Sequence, residues 1–270
     1  MTEAKTCPSC GENLTGNFCA NCGQKVKNLN VPFKEIVSEV VDNILTFDSK
    51  FFRSLIPLIT KPGFLTLEYN LGRRASYVTP FKLYLFISLI LFFMLTIIDV
   101  KIVKFDRYST KSTELSTPAA DSLETADPLK LRIARKLAQS EENIEQINTM
   151  VVKRLPQLMF VLMPVFALLL KLLYRRSEQF YLSHLIFAIH FHAFVFLVFI
   201  VALLIYITSE LKLSSIFLVF IPIYLFQCLK RVYSEGFWVR LIKSFVLVLI
   251  YVLILGSSLS VLAFIAVLLV

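Results

Sequence analysis

The sequence predicts an all-α polytopic membrane protein with about five transmembrane helices and a small amino-terminal cysteine head. Three observations predict it. Of 270 residues, 57% are hydrophobic and 17% charged, and the mean hydropathy is +0.72, too apolar for a water-soluble domain. Five apolar runs have the length a bilayer demands. The chain opens with paired cysteines, and no long apolar run precedes residue 80, so no signal-peptide pattern is present and the head is expected in the cytoplasm. The net charge of +9 sits mainly beside the apolar runs, where Lys and Arg fix topology and meet anionic headgroups. The expected contact is therefore the lipid bilayer, not nucleic acid.

Residues 1–28 form the head. Cys7, Cys10, Cys19 and Cys22 lie in CPSCGENLTGNFCANCG, two CxxC pairs across a turn-rich spacer. Two residues between cysteines let both thiolates of a knuckle face one ion, and two knuckles complete the tetrahedral set that structural zinc accepts. Gly11 and Gly23 permit the positive φ that turns backbone amides toward the sulfurs. So small a head would take its folding energy from the metal. One structural zinc per chain, in a zinc-ribbon head, is the leading expectation. An iron site, redox dithiols or a disulfide pair remain open, although a reducing cytoplasm disfavours the last. With four protein ligands no coordination position is left for catalysis. Cys228, alone in an apolar run, reads as packing.

Residues 29–80 are too short in each apolar piece to span. Residues 33–45 carry an amphipathic helical pattern. Asp48 offers an N-cap for a second stretch at 51–59, which Pro57 is expected to interrupt and Lys61, Pro62 and Gly63 to end. Both pieces are placed in the interface or against the bundle. GRRASYVTPF follows, and Arg73, Arg74 and Tyr77 are candidate contacts for a lipid headgroup or phosphate, because guanidinium pairs forkwise with phosphate oxygens. The competing and favoured reading of the same residues is a positive-inside anchor.

The first span is read at residues 81–99. Residues 100–155 form an extracytoplasmic loop, a Ser/Thr/Ala/Pro-rich linker followed by an amphipathic helix from 128 to about 150. Residues 156–270 hold four more spans, near 156–174, 181–207, 213–229 and 244–270. Lys171, Arg175 and Arg176 flank one short connection, and Lys230, Arg231, Arg240 and Lys243 flank another. Both belong inside, which puts the amino terminus in the cytoplasm and the carboxyl terminus outside the cytoplasmic (inner) membrane.

The segments CPSCGENLTGNFCANCGQ, KPGFLTLEYNLGRRASYVTPFKLYL and HLIFAIHFHAF, in that order, resemble the bacterial membrane proteins grouped as domain of unknown function 3667. The resemblance implies a zinc ribbon on a multi-span bacterial membrane protein and implies no activity.

All three histidines, His184, His190 and His192, fall in the 181–207 span. At about 100° and 1.5 Å per residue, His184 and His192 lie about 80° and about 12 Å apart, while His190 projects nearly opposite His192. No pair chelates one metal from an unbroken helix, so such a site would have to recruit another helix or, in a homo-oligomer, another subunit. Met159 and Met163 read as packing before haem ligands. Span interiors hold no carboxylate for a proton relay. The expected fate of the histidines is interhelical hydrogen bonding. Counting depth from Lys243 and Tyr181 brings residues 256–260 level with His190 and His192 at the bilayer middle, so an intramembrane polar cluster with Ser257 and Ser260 is predicted. No nucleophile elbow, phosphate loop or HExxH is present, so no enzyme is expected. The favoured function is a scaffold or adaptor whose head docks a cytoplasmic protein partner. The alternative is a carrier or channel for a lipid or small solute with a His-lined pocket.

Overall fold

A computed structural model describes residues 6–14, 18–24, 50–98, 128–177, 179–209 and 214–269, with the backbone alone at 128–143, 208–209 and 214–218. The amphipathic pattern at 33–45, Asp48 and the linker after the first span lie outside the described residues. Among the described residues seven helices follow the head: α1 (Lys50–Thr60), α2 (Phe64–Asn70), α3 (Pro80–Ile97), α4 (Pro128–Leu173), α5 (Tyr181–Ser209), α6 (Ser214–Val232) and α7 (Phe237–Leu269). Four are long and apolar enough to cross a membrane: α3, α4 from Ile144, α5 to Ile207, and α7. The chain is thus a mostly helical, multi-pass membrane protein. The expected fourth span coincides with α6, a 19-residue helix that packs against α5 and α7 and is not one of those four.

The histidine helix α5 is the centre. Half of its apolar window is buried in protein, against 6% for α7, and it packs on α3, α4 and α6. Ala188 and Ala193 are fully buried, and such small side chains let neighbouring helices approach where lipid supplies no hydrophobic drive. Aromatic pairs fix the registers: Phe166 stacks on Phe191 between α4 and α5, and Phe194 stacks on Tyr224 between α5 and α6. Tyr84 and Phe92 of α3 both touch Phe196.

Two element boundaries differ from expectation. The amphipathic helix of the long loop and the second span are one 46-residue helix that runs through Pro156 and Pro164. Each proline deletes one backbone hydrogen bond, a loss that spanning helices tolerate where neighbours and local adjustment re-satisfy the freed carbonyl. α7 begins at Phe237, seven residues before the expected start, because Arg240 and Lys243 turn to polar partners inside the protein and do not mark the helix end.

Helices α1 and α2 form a short layer against α5 and α6. Pro57 does not interrupt α1, which continues to Thr60. The carbonyl of Leu58 has no amide four residues on, since Pro62 lacks one, and the Tyr224 hydroxyl donates to it instead. The Pro62 carbonyl accepts from Arg231 at 3.0 Å. Gly63, at φ 73°, makes the turn between the helices, where a Cβ would stand 3.0 Å from the Cys228 carbonyl oxygen. Buried Ser54 accepts from the Val78 amide at 2.9 Å, tying α1 to the entry of α3.

Candidate functional site

The two cysteine knuckles repeat one local geometry. The Cys7 amide donates to the Glu12 carbonyl and the Gly11 amide to the Cys7 carbonyl, and Cys19, Gln24 and Gly23 repeat the pattern at 2.8 and 2.9 Å. Gly11 and Gly23 take φ of 79° and 69°, the left-handed turn glycine makes without strain. The four Sγ atoms lie within 4.8 Å of one another. Cys7 to Cys22 is 3.6 Å and Cys10 to Cys19 is 3.5 Å, close to the edge of roughly 3.8 Å that tetrahedral metal–sulfur bonds near 2.3 Å require. The donor chemistry also calls for a cation. The Cys22 amide, helped by Asn21 and the neighbouring thiols, lowers Cys19 to about 7 against partial desolvation. At Cys10 the Glu12 amide likewise lowers the thiol, but desolvation and the three other thiols prevail and raise it to about 12. Four thiolates this close therefore need a positive ion among them, and the cluster could hold one metal ion.

The head rests on the arginine turn. Gln24, two residues past Cys22, donates from Nε2 to the Gly72 carbonyl at 2.6 Å, and its Oε1 accepts from the consecutive amides of Arg74 and Ala75, each at 3.2 Å. Gly72 takes φ of 82°, and a Cβ there would sit 3.5 Å from the Pro8 ring. The Arg73 guanidinium pairs with both oxygens of Glu68, Nε lying 2.7 Å from Oε2. Arg74 lies over the Tyr69 ring at 4.1 Å and donates to the Tyr69 carbonyl. Arg73, Arg74, Tyr77, Thr79 and His190 line one cleft of about 20 Å³, room for about one water. Sequence reasoning missed Gln24; its only signal was a side-chain amide directly after the second knuckle.

The histidines take partners from three other elements. His184 Nδ1 lies 2.6 Å from the Tyr233 hydroxyl, His190 Nδ1 lies 3.1 Å from Thr66 Oγ1 on α2, and His192 Nε2 lies 2.6 Å from the Tyr251 hydroxyl on α7. The Nδ1 of His192 faces the Ala188 carbonyl at 2.8 Å. A carbonyl only accepts, so Nδ1 carries the proton and Tyr251 donates to Nε2. Interhelical bonding is as expected, but the predicted cluster with Ser257 and Ser260 is not formed. Those hydroxyls, with Ser258, donate to carbonyls of Ile254 and Gly256 on their own helix, and Ser257 and Ser260 are exposed. The depth also differs. Thr79, just before α3, shares the cleft with His190, so His190 stands level with the start of the first span rather than at the bilayer middle.

Beyond that level the connections after α4 and α6 and the start of α7 carry a second polar group. Tyr174 stacks on Tyr233 at 3.9 Å, Lys243 lies over the Tyr174 ring and pairs with Glu235, and Arg240 donates to the Glu235 carbonyl at 2.6 Å. Burial raises both phenols far above their ordinary range. Among the described residues Tyr174, Gln179, His184, Glu235 and Arg240 each keep one buried polar atom without a protein partner here.

Fold and site together define a multi-pass membrane protein whose four-cysteine, metal-binding head is clasped to an arginine turn. A family model described as protein of unknown function (DUF3667) matches residues 48–92. That segment spans α1, α2, the arginine turn and most of α3, in agreement with the resemblance read from the sequence there. The head, the histidine helix and α7 lie outside it. No curated protein and no solved structure matches the chain.

Proposed function

We propose that the protein is a non-enzymatic adaptor of the bacterial cytoplasmic membrane whose zinc-loaded head presents a docking face to a cytoplasmic protein partner. The observation that carries this reading is Phe18, an aromatic ring left 59% exposed on a head already fixed to the membrane body through Pro8 and Gln24. A ring displayed on a rigid support is the usual anchor of a protein interface. The basic residues flanking the two short connections support a cytoplasmic amino terminus. A photocrosslinking residue at position 18 of the membrane-embedded protein is expected to capture one discrete cytoplasmic protein, and capture should be lost in Cys19→Ala. Labelling of lipid alone would overturn the reading.

One observation favours a carrier instead: the cleft that joins Arg73, Arg74 and Tyr77 to His190. Its volume of about 20 Å³ is far below the 300 Å³ or more of typical ligand pockets, which favours the adaptor. Counterflow of a lipid or solute in vesicles, lost in a folded Arg74→Gln protein, would reverse that choice.

A further inference from the structure

The contact between Gln24 and the arginine turn has the chemistry of an anion site with a stand-in already seated. Two consecutive backbone amides, Arg74 and Ala75, converge on a single oxygen, the arrangement by which backbone concavities hold phosphate and other oxyanions. Gly72, in the left-handed conformation, makes the turn that leads into these two amides. The side chains of Arg73 and Arg74 flank the same turn, and guanidinium groups are the preferred partners of phosphate oxygens. Among the described residues Arg73 uses Nε and one terminal nitrogen on Glu68 and Arg74 uses Nε on the Tyr69 carbonyl, while each guanidinium offers five donors. The turn lies beside the first residue of α3, and an 18-residue helix of about 27 Å uses its whole length to cross the hydrocarbon. The turn therefore sits at the depth of lipid phosphates. The carboxamide of Gln24 is neutral, so its oxygen satisfies the amides without neutralising the arginines.

We propose that residues 72–75 form an oxyanion site for a phosphate group, and that the cysteine head covers this site by inserting Gln24 in place of the phosphate oxygen. Displacement of the head uncovers the Arg74 and Ala75 amides and frees both donors for another acceptor. A phosphate oxygen supplies that acceptor and adds charge pairing with Arg73 and Arg74. The phosphate belongs either to a lipid headgroup or to a soluble phosphate. This inference does not rest on the adaptor reading. The site holds whether or not Phe18 binds a protein, and crosslinking at Phe18 fails or succeeds independently of it.

The test is amide hydrogen exchange over residues 72–76 in the intact, metal-loaded protein in a maltoside detergent and phosphate-free buffer, so that no phosphate is present until it is added. In the natural sequence these amides should be protected, and neither inorganic phosphate nor added phosphatidylglycerol should change them. Gln24→Ala should accelerate exchange at Arg74 and Ala75 by roughly tenfold or more, the loss of two hydrogen bonds. Inorganic phosphate or phosphatidylglycerol should then restore protection, and in Gln24→Ala/Arg73→Gln/Arg74→Gln neither should. Restoration by phosphatidylglycerol alone identifies a headgroup, and by inorganic phosphate alone a soluble ligand. Gln24→Glu places a carboxylate in the same position and should slow exchange below that of the natural protein, a readout that survives if Gln24→Ala disturbs the head. Amides that stay protected in Gln24→Ala with the head still metal-loaded, or that open and answer to neither phosphate source, would overturn the proposal.

Discussion

Tyr251→Phe isolates the bond between the histidine helix and the last span. The substitution keeps the ring, which sits 4.8 Å from Phe166 and 5.5 Å from His192, and removes only the hydroxyl. His192 is 3% exposed, and its Nδ1–H stays occupied by the Ala188 carbonyl, so Nε2 is left as a buried acceptor without a donor. In a soluble core that omission costs about 1–3 kcal/mol. Across membrane helices hydrogen bonds average about 0.6 and reach about 1.7 kcal/mol, since the unfolded chain also finds partners there. The expected loss is thus about 0.6–1.7 kcal/mol in a reversible unfolding titration in bicelles. In the His192→Leu/Tyr251→Phe cycle the double mutant should recover most of the coupling. Ser257→Ala and Ser260→Ala should each change stability by less than about 0.5 kcal/mol, because surface changes away from partners do little. A silent Tyr251→Phe beside a costly Ser257→Ala would show that the histidine's partner is the serine segment after all.

The head should bind one metal ion per chain, and zinc is expected by elemental analysis. Because Cys10 is raised to about 12 and Cys19 lies at about 7, metal uptake near neutrality releases protons, so affinity should fall at least about tenfold per pH unit from 8 to 6; a pH-independent affinity would contradict the thiolate site. Cys19→Ala should abolish binding while membrane-fraction yield stays unchanged. Gly63→Ala should cost about 1–3 kcal/mol, from left-handed strain and from its Cβ meeting Cys228, whereas Gly236→Ala, with open space around it, should be tolerated; equal effects would refute the tight α1–α2 turn. Ser76→Cys, exposed beside the arginine turn, should be labelled only from the cytoplasmic side and Ser116→Cys only from the other, and the reverse pattern would invert the topology.

The spans were legible because crossing a bilayer is a demand on length and apolarity, which a sequence displays directly, and the head because two CxxC pairs leave four thiolates few arrangements. What stayed hidden depends on register between helices. Helical geometry gave the directions of His184, His190 and His192 correctly as divergent, and the structure sends them to three different elements. Their depth was misjudged because basic residues were taken as membrane boundaries. Arg240 and Lys243 instead bond around Glu235, α7 starts earlier, and Tyr251 comes level with His192 in place of Gly256, a shift of five residues or about 7.5 Å. The phenols of Tyr224, Tyr233 and Tyr251 offered a signal, since a buried tyrosine hydroxyl seeks a partner, but nothing in one sequence says which partner.

The matched segment at 48–92 explains why the head has anything firm to rest on. Helices of 11 and 7 residues are too short to hold their shape in isolation, so α1 and α2 exist only as a layer on α5 and α6. Their prolines sharpen that dependence. Pro62 strips the Leu58 carbonyl of its amide, and the repair comes from Tyr224, a residue 166 positions away that is itself stacked on Phe194 of the histidine helix. Thr66 and Ser54 complete the attachment through His190 and Val78. The arginine turn emerges from this layer between two elements that are both pinned to the bundle. Its amides hold a fixed direction before Gln24 arrives, and it is this preorganisation, more than the strength of three hydrogen bonds, that lets a head of two cysteine knuckles sit in one position on the membrane body.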